Sequence, residues 1–357
     1  MAIIRPVTAQ PAVSVVIPNF NGARYLEECL RSLLRQSVSG TEIIVVDDGS
    51  RDGSIDVARR VAPQAVVLAH SRNLGFAAAA NTGIRAARGD WIAILNNDTE
   101  VAETWMAECL QAIERYPDAS FFACRIFDYK QRNRLYSAGD CFLRAGVGYR
   151  RGQERPDQEE YQRLTDIFSP CGCAAIYRRS VLEQRGGYDE RFFAYLEDVE
   201  LGLRLQASGC IGYYVPSAVV YHHGATTSGG EFSSLSVRLR TRNAFLLLLK
   251  SVPGPALWRM IPMIVVSQLF WFGRVLAHGG FLAYVRGLAA VVPLVPDMLA
   301  DRRRMHAVWR SSGSLLWQAI LRSEDMARAD FPRHASEPTS WFLRFYFRLF
   351  PGHGHRA

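Results

Sequence analysis

Short, wholly apolar runs alternate along the front of the chain with longer segments whose apolar residues recur at helical spacing. Ser14-Val15-Val16-Ile17 is the first such run, closed by Pro18. Ala23 to Gln36 follows, with Tyr25, Leu26, Cys29, Leu30, Leu33 and Leu34 on one side, which predicts an amphipathic helix. Glu42 to Val46 is a second strand, cut off by Asp47-Asp48-Gly49-Ser50. Ser54 to Ala62 reads as a helix, Ala65 to Ala69 as a strand and Gly75 to Ala87 as an Ala-rich helix. Trp91 to Leu95 is the next strand, ending at Asn96-Asn97-Asp98. Strands that are apolar throughout and alternate with helices predict an α/β fold, a mostly parallel sheet flanked by helices on both faces. Ligands of such sheets gather beyond the carboxyl ends of the strands. The polar clusters fall there: Asn19 with Asn21, Asp47 with Asp48, and Asn96 to Asp98.

The pattern loosens from Phe121 to Phe168. Gly139, Gly146, Gly148 and Gly152, with Arg150, Arg151 and Arg155, predict β-hairpins and a mobile loop over the site. Order returns with a strand at Ala174 to Tyr177, a helix near Ser180 to Gln184 and a strand at Gly212 to Val220, followed by "YHHGATTSGG". Beyond Arg242 the composition becomes apolar and Pro-interrupted as far as Ala300. The division expected is residues 1–243 as a catalytic domain and 244–357 as a basic, apolar helical region.

Composition narrows the class. With 357 residues, 49% hydrophobic and 21% charged, the chain is long and apolar enough to fold around a core. Its seven cysteines are scattered, without a CxxC pair or zinc-like spacing, so reduced thiols in a cytoplasmic chain are expected. The first twenty residues lack the long uncharged stretch of a signal peptide. From Arg238 onward there are 17 Lys and Arg against 6 Asp and Glu, a net +11, whereas residues 1–237 carry 25 against 28, a net −3. The tail's arginines sit among bulky aliphatics, which favours anionic lipid over nucleic acid.

Three stretches carry candidate chemistry. "VVDDGSRDGS" places Asp47 and Asp48 past a buried strand, where a carboxylate can accept from a nucleobase N–H or ribose hydroxyls. Turn and N-cap chemistry is the plainer reading of the same residues. "SRNLGFAAAANTGI" joins Arg72 to a glycine turn and a small-residue helix that lets a diphosphate approach. In "ILNNDTEV", Asp98 is a natural ligand for Mg2+ or Mn2+, or simply a strand-end acid.

Taken in order, "SVVIPNFNG", "VVDDGSRDGS", "NLGFAAAANTGI", "LNNDTEV", "GGYDERFFAYLEDVELGLRLQASG" and "VVYHHGATT" resemble the motifs of the inverting family 2 glycosyltransferases of the GT-A fold. The resemblance covers about Val13 to Lys250 and is nearest to bacterial rhamnosyltransferase-like enzymes of polysaccharide assembly. It implies a nucleotide-diphosphate-sugar donor, dTDP-rhamnose or a UDP-sugar, and a glycan or polyprenyl-diphosphate-linked acceptor. It implies that Asp48, aided by Asp47, Pro18, Asn19 and Asn21, meets the nucleobase or ribose, with Arg72, Asn73, Gly75 and Asn97 beside the donor. The family's Asp-x-Asp metal motif falls on Asn96-Asn97-Asp98, so only Asp98 supplies charge. His222, preferred over His223, would complete the metal shell. The runner-up is a nucleotide-sugar-binding relative without catalysis; a dinucleotide oxidoreductase is disfavoured because the first strand lacks a Gly-x-Gly-x-x-Gly turn.

"FFAYLEDVELGLRLQASG" predicts a helix with Tyr195, Val199 and Leu203 on one stripe, and Glu197, Glu200 and Arg204 on another. Glu200 and Arg204 are spaced to pair. Asp198 lies at the helix start, where the dipole favours its ionised form. The resemblance makes Asp198 the general base and Glu197 an acceptor-binding acid.

In the tail, Met260 to Gly273 is uncharged, and Val275 to Val285 adds a second run beyond Arg274. A spanning helix needs roughly 20 apolar residues, and Arg274 would lie within the joined span. Pro262 and Gly279-Gly280 argue against one continuous helix. The expectation is helices in the membrane interface on the cytoplasmic face of the inner membrane, peripheral or monotopic, with Arg302-Arg303-Arg304 and "WFLRFYFRLF" contributing. A helical subdomain packed on the catalytic domain is the other reading.

Overall fold

The computed structural model describes residues 11–224, 229–308, 313–331 and 340–352. The front half alternates as the pattern predicts: β1 (Val13–Asn19), α1 (Ala23–Leu34), β2 (Glu42–Asp47), α2 (Ser54–Val61), β3 (Val66–Ala69), α3 (Phe76–Ala86) and β4 (Trp91–Leu95). Next come β5 (Thr99–Val101), α4 (Trp105–Arg115), β6 (Phe121–Asp128), β7 (Leu135–Ser137), β8 (Asp140–Leu143), β9 (Val147–Arg150) and β10 (Thr165–Asp166). The front half closes with β11 (Ala174–Arg178), α5 (Arg179–Arg185), α6 (Glu197–Ala207) and β12 (Gly212–His222). Helices α7 (Ser234–Ser251), α8 (Gly254–Ala277), α9 (Phe281–Ala289), α10 (Val295–Val308), α11 (Gly313–Asp330) and α12 (Ser340–Leu349) complete the chain.

β1 pairs in parallel with β2 on one side and β4 on the other, and β2 with β3. Beyond β4 the sheet is mixed. β11 runs antiparallel to both β4 and β6, and β12 is parallel to β6. The strand order reverses at β1, so Asn19, Asp47 and Asn96 to Asp98 meet beyond one edge of the sheet. Val15, Ile17, Val45 and Ala93 point into one apolar layer and Val16, Ile44, Ile92 and Ile94 into the other, which is why these strands read as apolar throughout. β3 is the edge strand, and its Val66 is exposed.

Two features, in α8 and before α6, depart from expectation. The Phe121–Phe168 tract holds a two-stranded hairpin, β8–β9, of the kind expected. α11 anchors it: Phe142 N donates to Ser323, Arg144 pairs with Glu324 at 2.6 Å, and Tyr149 and Tyr161 donate to Asp330. α8 runs unbroken through Pro262, and the chain turns only at Gly279-Gly280. Tyr195 lies outside α6, its φ at +71° and its hydroxyl on Ser236. Val199 and Leu203 are buried as the stripe requires, and the Glu200–Arg204 pair forms, but inside the protein.

The 243/244 division falls within α7. A third apolar cluster joins Val199 and Leu203 of α6 to Leu246 of α7, Met260 of α8, Met298 of α10 and Ile320 of α11. The tail helices therefore pack against the front half. α8 and the stretch from Phe281 to Met305 are also long and apolar enough to cross a membrane.

Candidate active site

The strand-end residues form one hydrogen-bonded network. Asn19 Nδ2 donates to Asp47 Oδ1 at 2.9 Å, and Asn19 Oδ1 accepts from Asn97 Nδ2 at 2.6 Å. Asp47 Oδ2 accepts from the Ser50 N–H, and Pro18 sits beside Val46 in the parallel ladder. Asp48 accepts from the N–H groups of Leu74 and Gly75 at 2.9 and 2.8 Å, and its Oδ1 lies 2.7 Å from His70 Nδ1. The loop carrying Arg72, Asn73 and Gly75 is thereby fastened to the end of β2. Asn73 Oδ1 also accepts from Gly75 N. Gly75 has φ +96°, and a Cβ there would come within 2.6 Å of Phe193, so only glycine fits. Asn21, at φ +48°, and the exposed Arg72 lie on the rim.

Opposite this network stand Asp98 and His222. β5 turns back from Asp98 and pairs antiparallel with β12, Thr99 facing His222. That pairing brings His222 Nε2 to 3.1 Å from Asp98 Oδ1, both residues buried. Two ligands of one ion, each about 2.1 Å from it and at right angles, stand roughly 3 Å apart. His222 Nδ1 is buried with no hydrogen-bond partner among the described residues. One carboxylate and one imidazole, with diphosphate oxygens for the rest, suit Mg2+ or Mn2+. Among the described residues no cluster of three His, Cys, Asp or Glu side chains exists, so a bound ion would lean on its ligand's oxygens. His223 turns away, stacked on Tyr129 at 3.6 Å.

The acids of α6 complete the site. Asp198 Oδ2 accepts from the Gly172 N–H at 3.0 Å and Oδ1 from the Val199 N–H at 2.8 Å. Gly172 precedes Cys173, whose carbonyl accepts from the Asn96 N–H, so Asp198 is held at the end of β4, beside the turn that carries Asp98. Burial pushes the Asp198 carboxyl above the usual range, against the pull of the Gly172 and Val199 N–H groups and the Arg150 charge. The helix start alone therefore does not set its proton affinity. Glu197 is buried, its Oε2 has no hydrogen-bond partner among the described residues, and burial and then the neighbouring Asp198 push its carboxyl well up. Glu200 sits below them, paired with Arg204 and Lys250 at 2.9 Å each and bonded to Ser251.

Sequence reasoning missed what holds these acids. Phe193, Tyr195 and Leu196, none of them glycine, have φ of +67°, +71° and +67°. Such backbone is strained by about 1–3 kcal/mol per residue and persists only where its surroundings over-determine it. Asn243 supplies that support: buried in α7, its Nδ2 lies 2.9, 2.9 and 2.7 Å from the carbonyls of Phe192, Ala194 and Tyr195. Arg242 donates to the carbonyls of Arg191 and Phe192. The signal was present as "TRNAF", a buried-face asparagine in an apolar helix, but its partners lie about fifty positions upstream. A cavity of about 150 Å³ lined by Arg151, Glu160, Thr165, Met326, Ala329 and Asp330 lies between the hairpin and α11 and includes none of the site residues.

Comparisons with known proteins place the sequence and the fold among glycosyltransferases. The profile of glycosyl transferase family 2 matches residues 14–186. N-acetylglucosaminyl-diphospho-decaprenol L-rhamnosyltransferase of Mycobacterium tuberculosis is 29% identical over 248 residues, covering 62% of this chain and 78% of that enzyme. The PGL/p-HBAD biosynthesis glycosyltransferase of Mycobacterium bovis is 28% identical over 232 residues, covering 64% of this chain and 80% of that protein. Among solved structures, S. aureus TarS 1-349 has a TM-score of 0.51 at 14% identity, covering 90% of this chain and 93% of that one. GalNAc-T7 with UDP, GalNAc and Mn2+ has a TM-score of 0.53 at 18% identity, covering 67% of this chain and 48% of that one. The mixed sheet with its flanking helices is the GT-A arrangement, and residues 14–186 of this rhamnosyltransferase-like chain match glycosyl transferase family 2.

Proposed function

We propose that the protein moves a sugar, with inversion, from a nucleotide-diphosphate-sugar donor to a hydroxyl of a glycan or lipid-linked acceptor in cell-surface polysaccharide assembly. The observation that carries this reading is the convergence of the Asp98–His222 pair and the Gly172-held Asp198 beyond the ends of β4 and β12. The activity of the M. tuberculosis relative supports a rhamnosyl donor and a polyprenyl-diphosphate-linked acceptor.

In this mechanism Asn19, Asn21, Asp47, Asp48, Arg72, Asn73, Gly75 and Asn97, with Pro18, form the nucleotide side. Asp98 and His222 hold Mg2+ or Mn2+, which when bound neutralises charge on the leaving diphosphate. Asp198 takes the proton of the acceptor hydroxyl as its oxygen attacks the anomeric carbon opposite the leaving group, so the configuration inverts in one displacement. An acid whose affinity for protons is raised serves that step better than an ordinary aspartate. Glu197 faces the acceptor.

The acceptor's lipid sets the location we propose: the cytoplasmic face of the inner membrane, with the tail at the lipid surface. Trp258, Ile261, Val265, Leu269 and Leu276 form an exposed apolar stripe along α8, and Trp341, Phe345 and Leu349 another on α12.

Asp198→Asn tests the central assignment. Loss of a positioned base lowers the rate by ~10²–10⁴. The variant is expected to lose that much transfer while binding nucleoside diphosphate as the wild type does. Near-normal turnover would sink the assignment.

A further inference from the structure

Arg150, the last residue of β9, is the cation nearest the reaction centre that the chemistry above does not use. Its guanidinium lies over the Tyr136 ring at 4.2 Å, and that ring meets His222 edge-on at 4.4 Å. Arg150 therefore stands within two ring contacts of the Asp98–His222 pair. It is also close enough to Asp198 to lower that carboxyl's proton affinity, and it pairs through its backbone with Asp140. Its Nε is buried without a hydrogen-bond partner, and no carboxylate among the described residues forms an ion pair with it. A buried donor on a cation is costly to leave unmet. Arg125 and Arg328 also carry a buried, unmet Nε, but each is ion-paired, Arg125 with Asp157 and Arg328 with Glu324, as Arg144 is with Glu324 and Arg204 with Glu200.

The site's charge states what is missing. Asn96-Asn97-Asp98 supplies one carboxylate. That carboxylate and a divalent cation together leave one positive charge against the two negative charges of a diphosphate diester. When the sugar departs, the nucleoside diphosphate gains a third negative charge. A planar guanidinium matches paired phosphate oxygens in a way a point charge does not.

We propose that Arg150 binds the donor's diphosphate across from the Asp98–His222 pair and stabilises it as the leaving group. The assignment rests on the glycosyltransferase reading above and adds to it a residue of the β8–β9 hairpin. Because the negative charge grows as the glycosidic bond breaks, Arg150 acts more strongly in the transition state than on the bound donor.

The full-length protein with Mg2+ or Mn2+ is titrated calorimetrically with UDP, dTDP and GDP and with the matching nucleosides, as wild type, Arg150→Gln and Arg150→Lys. Removing a charge-assisted hydrogen-bond partner lowers affinity by roughly 10- to 100-fold. Arg150→Gln is expected to lose that much affinity for the nucleoside diphosphate that wild type binds, with nucleoside binding and melting temperature unchanged. Arg150→Lys should fall between, and kcat should drop more than donor KM rises. Equal nucleoside diphosphate affinity in Arg150→Gln and wild type would overturn the proposal while leaving the glycosyltransferase reading intact. If that equality came with a raised KM for a lipid-diphosphate acceptor, the guanidinium would belong to the acceptor's diphosphate instead. A wild type that binds none of the three nucleotides would overturn the donor site itself.

Discussion

The two sides of the cleft are built on opposite principles. On the nucleotide side, the polar side chains of Asn19, Asp47, Asp48 and Asn97 are buried and their hydrogen bonds are answered, Asn19 by Asp47 and Asn97, and Asp48 by the Leu74 and Gly75 N–H groups. On the acid side, the chain enters α6 through three non-glycine residues at positive φ, and Glu197 Oε2 and Arg150 Nε go unanswered among the described residues. The first arrangement resembles a finished core; the second holds strain and unmet polar atoms, as reacting centres do. The two sides also differ in what supports them. The nucleotide network rests on the apolar layers of its own parallel strands. The acid side is propped from behind by the tail: Asn243 of α7 under the turn, Lys250 of α7 under Glu200, and Glu324 and Asp330 of α11 under the hairpin.

The sharpest way to break this contrast is Glu324→Ala. Glu324 accepts from Arg144 N, Nε and Nη2 and from the Tyr346 hydroxyl, and both Glu324 and Arg144 are buried. Removing one partner of a buried pair costs about 3–5 kcal/mol by stranding the other charge. Chemical denaturation should register that loss, and transfer activity should fall with it. Unchanged stability would show that the hairpin does not depend on the tail. Truncation near Lys250 would remove the same support, so a shortened chain cannot isolate membrane binding from catalysis.

A membrane test has to leave the support in place. Replacing Trp258 and Leu269 together with Glu alters only the exposed stripe of α8. Burying one large apolar side chain contributes ~1.5–3 kcal/mol. The double variant should therefore lose at least about tenfold in partitioning to vesicles of anionic lipid, while its melting temperature holds. Equal partitioning would remove α8 as the lipid-facing helix and leave the tail as a prop alone.

Asn243→Ala probes the prop under the strained turn. Its cost to stability is ~1–3 kcal/mol, from carbonyls left without a buried donor. The expected kinetic signature is a fall in kcat with the donor KM unchanged, because the turn leads directly to Glu197 and Asp198. A matched rise in donor KM with steady kcat would move Asn243 to the nucleotide side.

The same contrast explains what could be read in advance. β1, β2 and β4 were legible because burial on both faces makes them apolar throughout, and the turns between them announce themselves in Asp, Asn, Gly and Ser. The polar residues at their ends were legible for the same reason. β5, α4 and β6 passed unassigned, although β5 is what brings Asp98 to His222. Three residues of strand with one half-buried glutamate carry too little pattern to see. Pro262 misled because it sits eight residues into a helix whose turn continues around it, and a proline removes only one hydrogen bond there. Gly172, Tyr136 and Asn243 were invisible as site residues. Each acts on a partner brought near by sheet pairing or helix packing, and local spacing holds no record of that.

The smallest effect expected is also the most direct comparison of the two kinds of acid on α6. Glu200 has its carboxyl held below the usual range despite burial, by Arg204 and Lys250. Glu197, three residues earlier and equally enclosed, is pushed well above it by burial and by Asp198. The signs follow from proton linkage. A carboxyl that binds its proton more tightly folded than unfolded costs nothing below its unfolded value, near 4.3. As pH rises above that value the unfolded chain ionises first, and the fold loses stability up to the folded value, above which the loss is complete. Glu197→Gln removes this penalty, so it should raise the melting temperature at neutral and alkaline pH and leave it unchanged near pH 4. Glu200→Gln should do the reverse, losing stability at neutral pH because Lys250 is left with Asp189 alone and Arg204 with the carbonyls of Arg185, Gly186 and Gly187. A Glu197→Gln variant less stable than wild type at pH 8 would mean that its carboxylate is answered in the folded chain, and the contrast between the two sides of the cleft would narrow to backbone strain alone.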